Sequence, residues 1–294
     1  MSAIETVLVT GGTGQTGRTV TDLLHGRGVD VVVASRQAPQ DPLPSGVRHT
    51  RFDWADDATH DEALRGGIDS IYLLPPPLDP DPVDVVDRFL GRARAAGVRR
   101  AVLLNSSAFP LCASGLHAVR LTVQQMPEWS VLLASGFMQN FLGEHPTAIA
   151  VRTHHEIVAA AGDGRMGWID AEDVAAAAAE LLTRADHSSR EHVLTGPEAL
   201  SYDRVAVTIA AAWELPVRYR SISPTERGAQ LLDAGLPATF VDALVGADVL
   251  TANGAEDRVT AEIPQLLGRT ATSFAQFVRR HSPSPEPTDR RNEP

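Results

Sequence analysis

Four glycines near the start of the chain, Gly11, Gly12, Gly14 and Gly17, stand within VLVTGGTGQTGR. Their spacing fits both G-x-G-x-x-G and G-x-x-G-x-x-G. Glycines let backbone N–H groups approach a pyrophosphate, and the N-terminus of a following helix adds favourable partial charge. The spacing alone is a weak signal. With an apolar strand before it and a helix after it, the segment is a dinucleotide-binding turn. Gly11, Thr13, Gly14, Gln15, Thr16 and Gly17 are the residues expected to hold the phosphates.

The second strand indicates which dinucleotide. A site for NAD(H) places Asp or Glu about 20 residues beyond the glycines, to hold the ribose 2′-hydroxyl. This chain has Ala34-Ser35-Arg36 there. Ser35 can hydrogen-bond a 2′-phosphate and Arg36 can pair with it, so NADP(H) is favoured over NAD(H). Asp53, at the end of the third strand, stands where an adenine amino group is expected. Leu74 and Pro75, after the fourth strand, should lie beside the cofactor as it crosses the sheet edge.

The residues for the reaction itself are less usual. All 26 basic residues are arginine, which excludes a Schiff-base lysine, a phosphate-loop lysine and any Tyr-x-x-x-Lys pair. Carbonyl–alcohol interconversion through that pair is therefore excluded. An iminium carbon, however, accepts hydride to give a neutral amine with no proton delivered to the heteroatom, and a quinone gives a delocalised phenolate. For such acceptors, positioning supplies most of the rate. Ser106 and Ser107 after the fifth strand, and His117 at the start of the next helix, are the candidate catalytic groups. Phe137, Met138, Gln139, Asn140 and Trp168 are the candidate substrate contacts. His154-His155-Glu156 has the composition of a metal site, but adjacent residues on an extended chain point to opposite faces, so no metal is expected. Asp170, Glu172 and Asp173 read as the cap and first-turn charges of a helix.

These groups need a scaffold, and the first half of the chain alternates strands with helices. Strands are expected at 4–10, 29–35, 47–53, 71–74, 101–105 and 129–134. Helices are expected from Gln15 to Gly26, from a Thr59–Glu62 capping box, and after Asp81 as the cap with Pro82 at the first position. That order means a doubly wound parallel sheet with right-handed crossovers. After about residue 145 the rhythm changes. A hairpin-like segment turns at Gly162-Asp163-Gly164, Asp170 caps an alanine-rich helix over 171–183, and a capping box at Ser223–Glu226 precedes two further helical segments. The expected fold is α/β: a Rossmann-type core (1–144 and 165–190) under a smaller, mainly helical C-terminal substrate domain (145–164 and 191–281). A disordered tail is expected over 282–294, where Pro, Asp, Glu and Arg dominate.

Composition narrows the partners. A net charge of −11 repels nucleic acid and anionic membranes. No apolar run approaches the ~20 residues that span a bilayer. Cys112 is the sole cysteine, a small side chain expected in or near the core, so no intrachain disulfide can form. No secretory signal is evident. The expectation is a cytoplasmic monomer or homodimer with a small-molecule substrate.

The motifs VTGGTGQTGR, ASR, FDW, YLLPPPLDPDP, FMQNF, GDGRMGWIDAEDVA and VLTGPEALSYD together resemble the NmrA-like atypical short-chain dehydrogenases. The branch most resembled contains the ergot-alkaloid biosynthesis reductases of the festuclavine and agroclavine type. The resemblance covers roughly residues 5 to 280. It implies an NADP(H)-binding Rossmann domain with a small C-terminal domain, and members that reduce imines, quinones or azo compounds; the expectation is an NADPH-dependent reductase of such acceptors or of activated alkenes, in secondary metabolism. It also admits a non-enzymatic NADP(H) sensor, or a non-redox cyclase or isomerase on the same fold. Relatives often carry Leu-Arg-Pro after the sixth strand; this chain has Leu133-Ala134-Ser135, which alters the pocket wall before Phe137.

Overall fold

The computed structural model describes residues 5–76, 79, 81–108 and 114–282, without the side chains of Ser114, Leu116 and His117. Cys112 and the 283–294 segment lie outside the described residues.

Seven parallel strands form the central sheet in the order β3-β2-β1-β4-β5-β6-β9. In chain order they are β1 (Thr6–Thr10), β2 (Asp30–Ser35), β3 (Val47–Arg51), β4 (Ser70–Leu73), β5 (Arg100–Ser106), β6 (Glu128–Ala134) and β9 (Arg190–Leu194). Runs such as DVVVAS in β2 are apolar on both faces because both faces are covered. On one face, α1 (Gln15–Gly26) and α6 (Ala171–Thr183) bury Val20, Leu24, Val174 and Leu181 against the strands. On the other, α2 (Asp57–Ala63), α3 (Val83–Ala95) and α4 (Ser114–Val123) cover a second core containing Phe52, Phe89 and Leu90. The direction of winding reverses between β1 and β4. In a doubly wound sheet that switch point, outside the carboxyl ends of the strands, is where ligands bind.

One buried cation ties the opposite edge together. Arg100 is 1% exposed; its Nη1 donates to the carbonyls of Leu181, Leu182 and Arg184 at 3.0 Å, and its Nη2 pairs with Glu128 at 2.5 Å. It satisfies the last carbonyls of α6, which have no partner within the helix.

The remaining elements form a smaller unit: α5 (Pro146–His154), β7 (Glu156–Ala159), β8 (Arg165–Met166), β10 (Leu200–Ser201), α7 (Tyr202–Trp213), β11 (Arg218–Ser221), α8 (Pro224–Asp233), α9 (Ala238–Ala252) and α11 (Phe274–Arg280). Its core holds Met138, Phe141, Trp168, Ile209, Phe274 and Phe277. The short α10 (Glu262–Leu267) returns to pack on α6 and β9.

Five local expectations are corrected. The segment around Gly162 does turn, with the Gly164 N–H on the Ala161 carbonyl, but it is no hairpin. β7 pairs with β11 in parallel and β8 pairs with β10 antiparallel. The sheet also continues past residue 190, because REHVL forms β9 beside β6. Asp56, not Thr59, caps α2 by accepting from the Ala58 N–H; Thr59 instead binds the backbone of Asp53 and Asp56. Pro82, not Asp81, occupies the N-cap position of α3. Ser282, expected in the tail, donates to the Ala212 carbonyl at 3.2 Å.

Candidate functional site

The glycine turn joins β1 to α1 at the switch point. Gly11 has φ +61°, a left-handed conformation, and a Cβ there would lie 2.8 Å from Leu74 Cδ2. At Gly17 a Cβ would come within 2.3 Å of the Gly11 carbonyl oxygen. The Gly12 N–H reaches the Ala34 carbonyl of β2 at 3.2 Å, and Gly14 closes the turn on Gly11 at 2.8 Å. Thr10 anchors the far side: its Oγ1 accepts from the Leu74 N–H at 2.7 Å and donates to the Tyr72 carbonyl at 3.0 Å. Leu74 is thus held against the turn.

The N-terminus of α1 is open. Asp56, Asp170, Ser201, Ser223 and Ser273 each cap their helices through a side chain, whereas Gly14 at α1 supplies none and the first turn contains no acidic residue. Free N–H groups and an uncompensated positive helix end fit an anion such as a pyrophosphate. Gly14, exposed at the mouth, is the N-cap.

From this turn a cleft of about 750 Å³ runs across the ends of β2 and β3. It brings together Gly11, Thr13, Gly14, Ser35, Arg36, Asp53, Leu74 and Pro75, eight of the residues singled out from the sequence. Gln15, Thr16 and Gly17 do not line it. Gln15 is exposed, Gly17 is packed into the turn, and Thr16 Oγ1 accepts from the Tyr72 hydroxyl at 3.0 Å. Arg36 is exposed and makes no ion pair among the described residues. The Ser35 proton is engaged: Oγ donates to the Gln37 carbonyl at 2.7 Å and lies 3.0 Å from His49 Nε2. Asp53 Oδ1 accepts from the Ala55 N–H at 3.1 Å, and its backbone is gripped by Thr59 and His60.

The back of the cleft is aromatic. Phe52 stacks on His60 at 4.9 Å, and Trp54 meets Phe52 and Phe89 edge-on at 4.9 and 5.4 Å. Burial holds the His60 imidazole below its ordinary pKa. Arg88 of α3 also faces the cleft, 3.7 Å from Asp57, which Arg92 binds at 2.9 Å. Trp54, Asp57 and Arg88 were not singled out from the sequence. FDW flagged the first of them only as a neighbour of Asp53, and one arginine in a helix carries no local mark.

At the carboxyl end of β5, Ser106 Oγ accepts from the Ala108 N–H at 3.2 Å, a local turn cap. Ser107 is 5% exposed and its hydroxyl donates to Glu256 at 2.5 Å. His117 sits in α4, with its side chain outside the described residues. All three tyrosines are held above their ordinary pKa by burial: Tyr72 in β4, Tyr202 and Tyr219 in the smaller unit.

The five residues expected to contact substrate divide. Met138 and Trp168 are fully packed in the core of the smaller unit, and the Trp168 indole N–H donates to the Leu200 carbonyl. Gln139 spends both ends of its amide on α6: Nε2 donates to Asp170 at 2.7 Å and Oε1 accepts from the Ala171 N–H at 2.9 Å. Phe137 and Asn140 stay half-buried. Asp170 caps α6 as expected, while Asp173 binds Arg269 at 2.6 Å and the Thr272 N–H at 2.7 Å. The Glu156 carboxylate of the His154-His155-Glu156 run is taken by Arg218 at 2.8 Å and Arg220 at 3.3 Å. No described helix is long and apolar enough to cross a membrane.

Residues 7–109 match the NAD dependent epimerase/dehydratase family. The chain is 33% identical over 277 residues to the uncharacterized oxidoreductase YesF of Bacillus subtilis, covering 94% of this chain and 95% of that one. The chain has an NmrA-like fold and belongs to the family of oxidoreductases that includes YesF. Within it, the agroclavine dehydrogenase of Claviceps fusiformis is 32% identical over 282 residues, covering 93% of this chain and 96% of the relative. Among solved structures, the NADPH-dependent quinone oxidoreductase of Escherichia coli complexed with NADPH superposes with a TM-score of 0.78 at 24% identity. It covers 93% of this chain and 99% of that one and shares the fold. The Rossmann topology and glycine turn of this NmrA-like chain are those of an NAD(P)-binding fold.

Proposed function

We propose that this NmrA-like chain is an NADPH-dependent reductase passing hydride to an imine, quinone, azo or activated alkene group of a small aromatic or heterocyclic molecule. The observation that carries the reading is the continuous cleft from the uncapped end of α1 to Arg36, which has no ion pair among the described residues. Thr13, Gly14 and the first-turn N–H groups of Gln15, Thr16 and Gly17 would hold the pyrophosphate. Arg36, with the Ser35 hydroxyl after it leaves Gln37, would hold the 2′-phosphate, and no carboxylate at that position repels it. Asp53 and the face of Trp54 would meet the adenine, and Leu74 with Pro75 would flank the dinucleotide where it crosses to the β4 side.

When bound, the reduced dinucleotide supplies the hydride. The protein supplies orientation and a dry surface, since no Tyr–Lys pair can be built from this sequence and burial disfavours ionisation of all three phenols. Acceptors that need no strong proton donor suit such a site. The relative named agroclavine dehydrogenase supports a turning-over enzyme rather than a sensor or a non-redox isomerase. The test is NADPH oxidation by the purified protein against a panel of cyclic imines, quinones and azo dyes. Turnover of at least one class is expected; tight NADPH binding with no turnover of any class overturns the reading.

A further inference from the structure

Arg88 of α3 lines the cleft beside Trp54 and Val85. Its side chain is 54% exposed and makes no hydrogen bond among the described residues. Its ionic neighbour there is Asp57, 3.7 Å from Nε and so beyond hydrogen-bond reach. Asp57 is already served. Arg92 Nη2 donates to the same carboxylate oxygen at 2.9 Å, and Arg92 Nη1 donates to the Asp57 carbonyl at 2.8 Å. Asp57 therefore keeps its partner when Arg88 turns away, and an exposed pair this loose contributes little to stability. The five N–H donors and the flat face of Arg88 are left for a ligand.

Charge and position identify that ligand. Asp53, Asp57 and Asp79 line the same cleft. Carboxylates beside the guanidinium oppose a phosphate but not an uncharged ring, and they accept from an amino group carried by such a ring. Asp57 opens α2 shortly after Trp54, and Phe89, the residue after Arg88, meets Trp54 edge-on at 5.4 Å. Arg88 thus stands on the Trp54 side of the cleft, whereas the cation at the end of β2 is Arg36.

We propose that Arg88 is a cofactor-binding residue: its guanidinium lies flat on the adenine ring and holds that ring in the part of the cleft lined by Trp54 and Val85. The contact is a cation on an aromatic face with the guanidinium plane stacked. The inference rests on the dinucleotide placement of the reductase reading and divides the work between two arginines. Arg36 selects NADPH over NADH through the 2′-phosphate. Arg88 strengthens both alike, because both carry the adenine.

The experiment is calorimetric titration of NADPH and of NADH into the wild type, Arg88→Met, Arg88→Lys and Arg36→Ala. Met keeps apolar bulk without the plane or the charge. Arg88→Met should weaken both dinucleotides by the same factor, about five- to thirtyfold, while Arg36→Ala weakens NADPH alone. Lys keeps the charge without the plane, so Arg88→Lys should also bind both dinucleotides more weakly than the wild type. Thermal melts without cofactor should stay level across the Arg88 variants, since Arg88 holds no hydrogen bond in the free protein. A loss confined to NADPH assigns Arg88 to the phosphate; unchanged affinity in Arg88→Met removes it from the site; wild-type affinity in Arg88→Lys removes the stacked plane. Each of these overturns the inference. A wild type that binds neither dinucleotide overturns the cofactor placement and the inference with it. Absence of turnover with dinucleotide bound counts against the reductase reading alone, and the affinities still decide the role of Arg88.

Discussion

Gly17→Ala isolates the glycine turn from the rest of the cleft. The added Cβ would lie 2.3 Å from the Gly11 carbonyl oxygen and 2.8 Å from Gly12 Cα, both backbone atoms that cannot rotate away. Relief requires the turn to open by roughly an ångström, the distance by which the contact falls short of an ordinary van der Waals approach. Overpacking of this kind costs about 1–3 kcal/mol. Because the turn is the proposed pyrophosphate cradle, about 2 kcal/mol of lost complementarity weakens NADPH binding roughly 30-fold. Gly26→Ala is the matched control: it lies in the same helix, a Cβ there would meet nothing within 4 Å, and its φ is not positive. It should leave the affinity intact and stabilise the fold by about 0.5–1 kcal/mol. The assay is fluorescence titration with NADPH, paired with thermal melts in the presence and absence of the cofactor. NADPH affinity unchanged in Gly17→Ala, with the fold intact, would refute the assignment of this turn to the phosphates.

Three further outcomes are expected. Arg36→Ala should weaken NADPH binding about 10- to 100-fold, the worth of hydrogen bonds to a charged group, and leave NADH untouched; parallel titrations with the two cofactors check this. Arg100→Met strands the Glu128 carboxylate, two α6 carbonyls and that of its C-cap Arg184, so chemical denaturation should show a loss of about 3 kcal/mol without a change in cofactor affinity. Burial lowers the pKa of His60 and His192 below the unfolded value of 6.5, the latter despite Glu262 at 2.9 Å on its Nδ1. The unfolded chain therefore takes up protons first as pH falls. Stability should be full above about pH 6.5 and decline below it, towards the folded-state values. Denaturant midpoints that stay level between neutral pH and pH 5.5 would contradict that assignment.

The parts legible in the sequence are those in which a local pattern carries a local consequence. The glycine turn, the apolar run of β2 and the Asp170 cap of α6 each fix backbone geometry within a few residues, and each stands where expected. β9 was missed because three of its five residues, Arg190, Glu191 and His192, are polar; their side chains find partners in Glu262 and Arg120, contacts invisible in one dimension. The turn at Gly162–Gly164 was readable, but the partners of β7 and β8 lie far along the chain, so a hairpin was the natural and mistaken reading. Gln139, Met138 and Trp168 have the residue types of a binding pocket, and the structure uses them for helix capping and packing. Ser107 was singled out by its place after β5, whereas Glu256 had no signal, since nothing between them marks a contact across 149 positions.

The central claim is that a hydride crosses from NADPH to a carbon of the substrate. The most direct test incubates the protein with NADPH deuterated at the transferable nicotinamide position and with dihydroisoquinoline, then weighs the amine product by mass spectrometry. The account predicts a product one mass unit heavier, with one NADPH oxidised per amine formed. Recovery of unreduced imine beside intact, protein-bound NADPH, or an amine without the label, would contradict it.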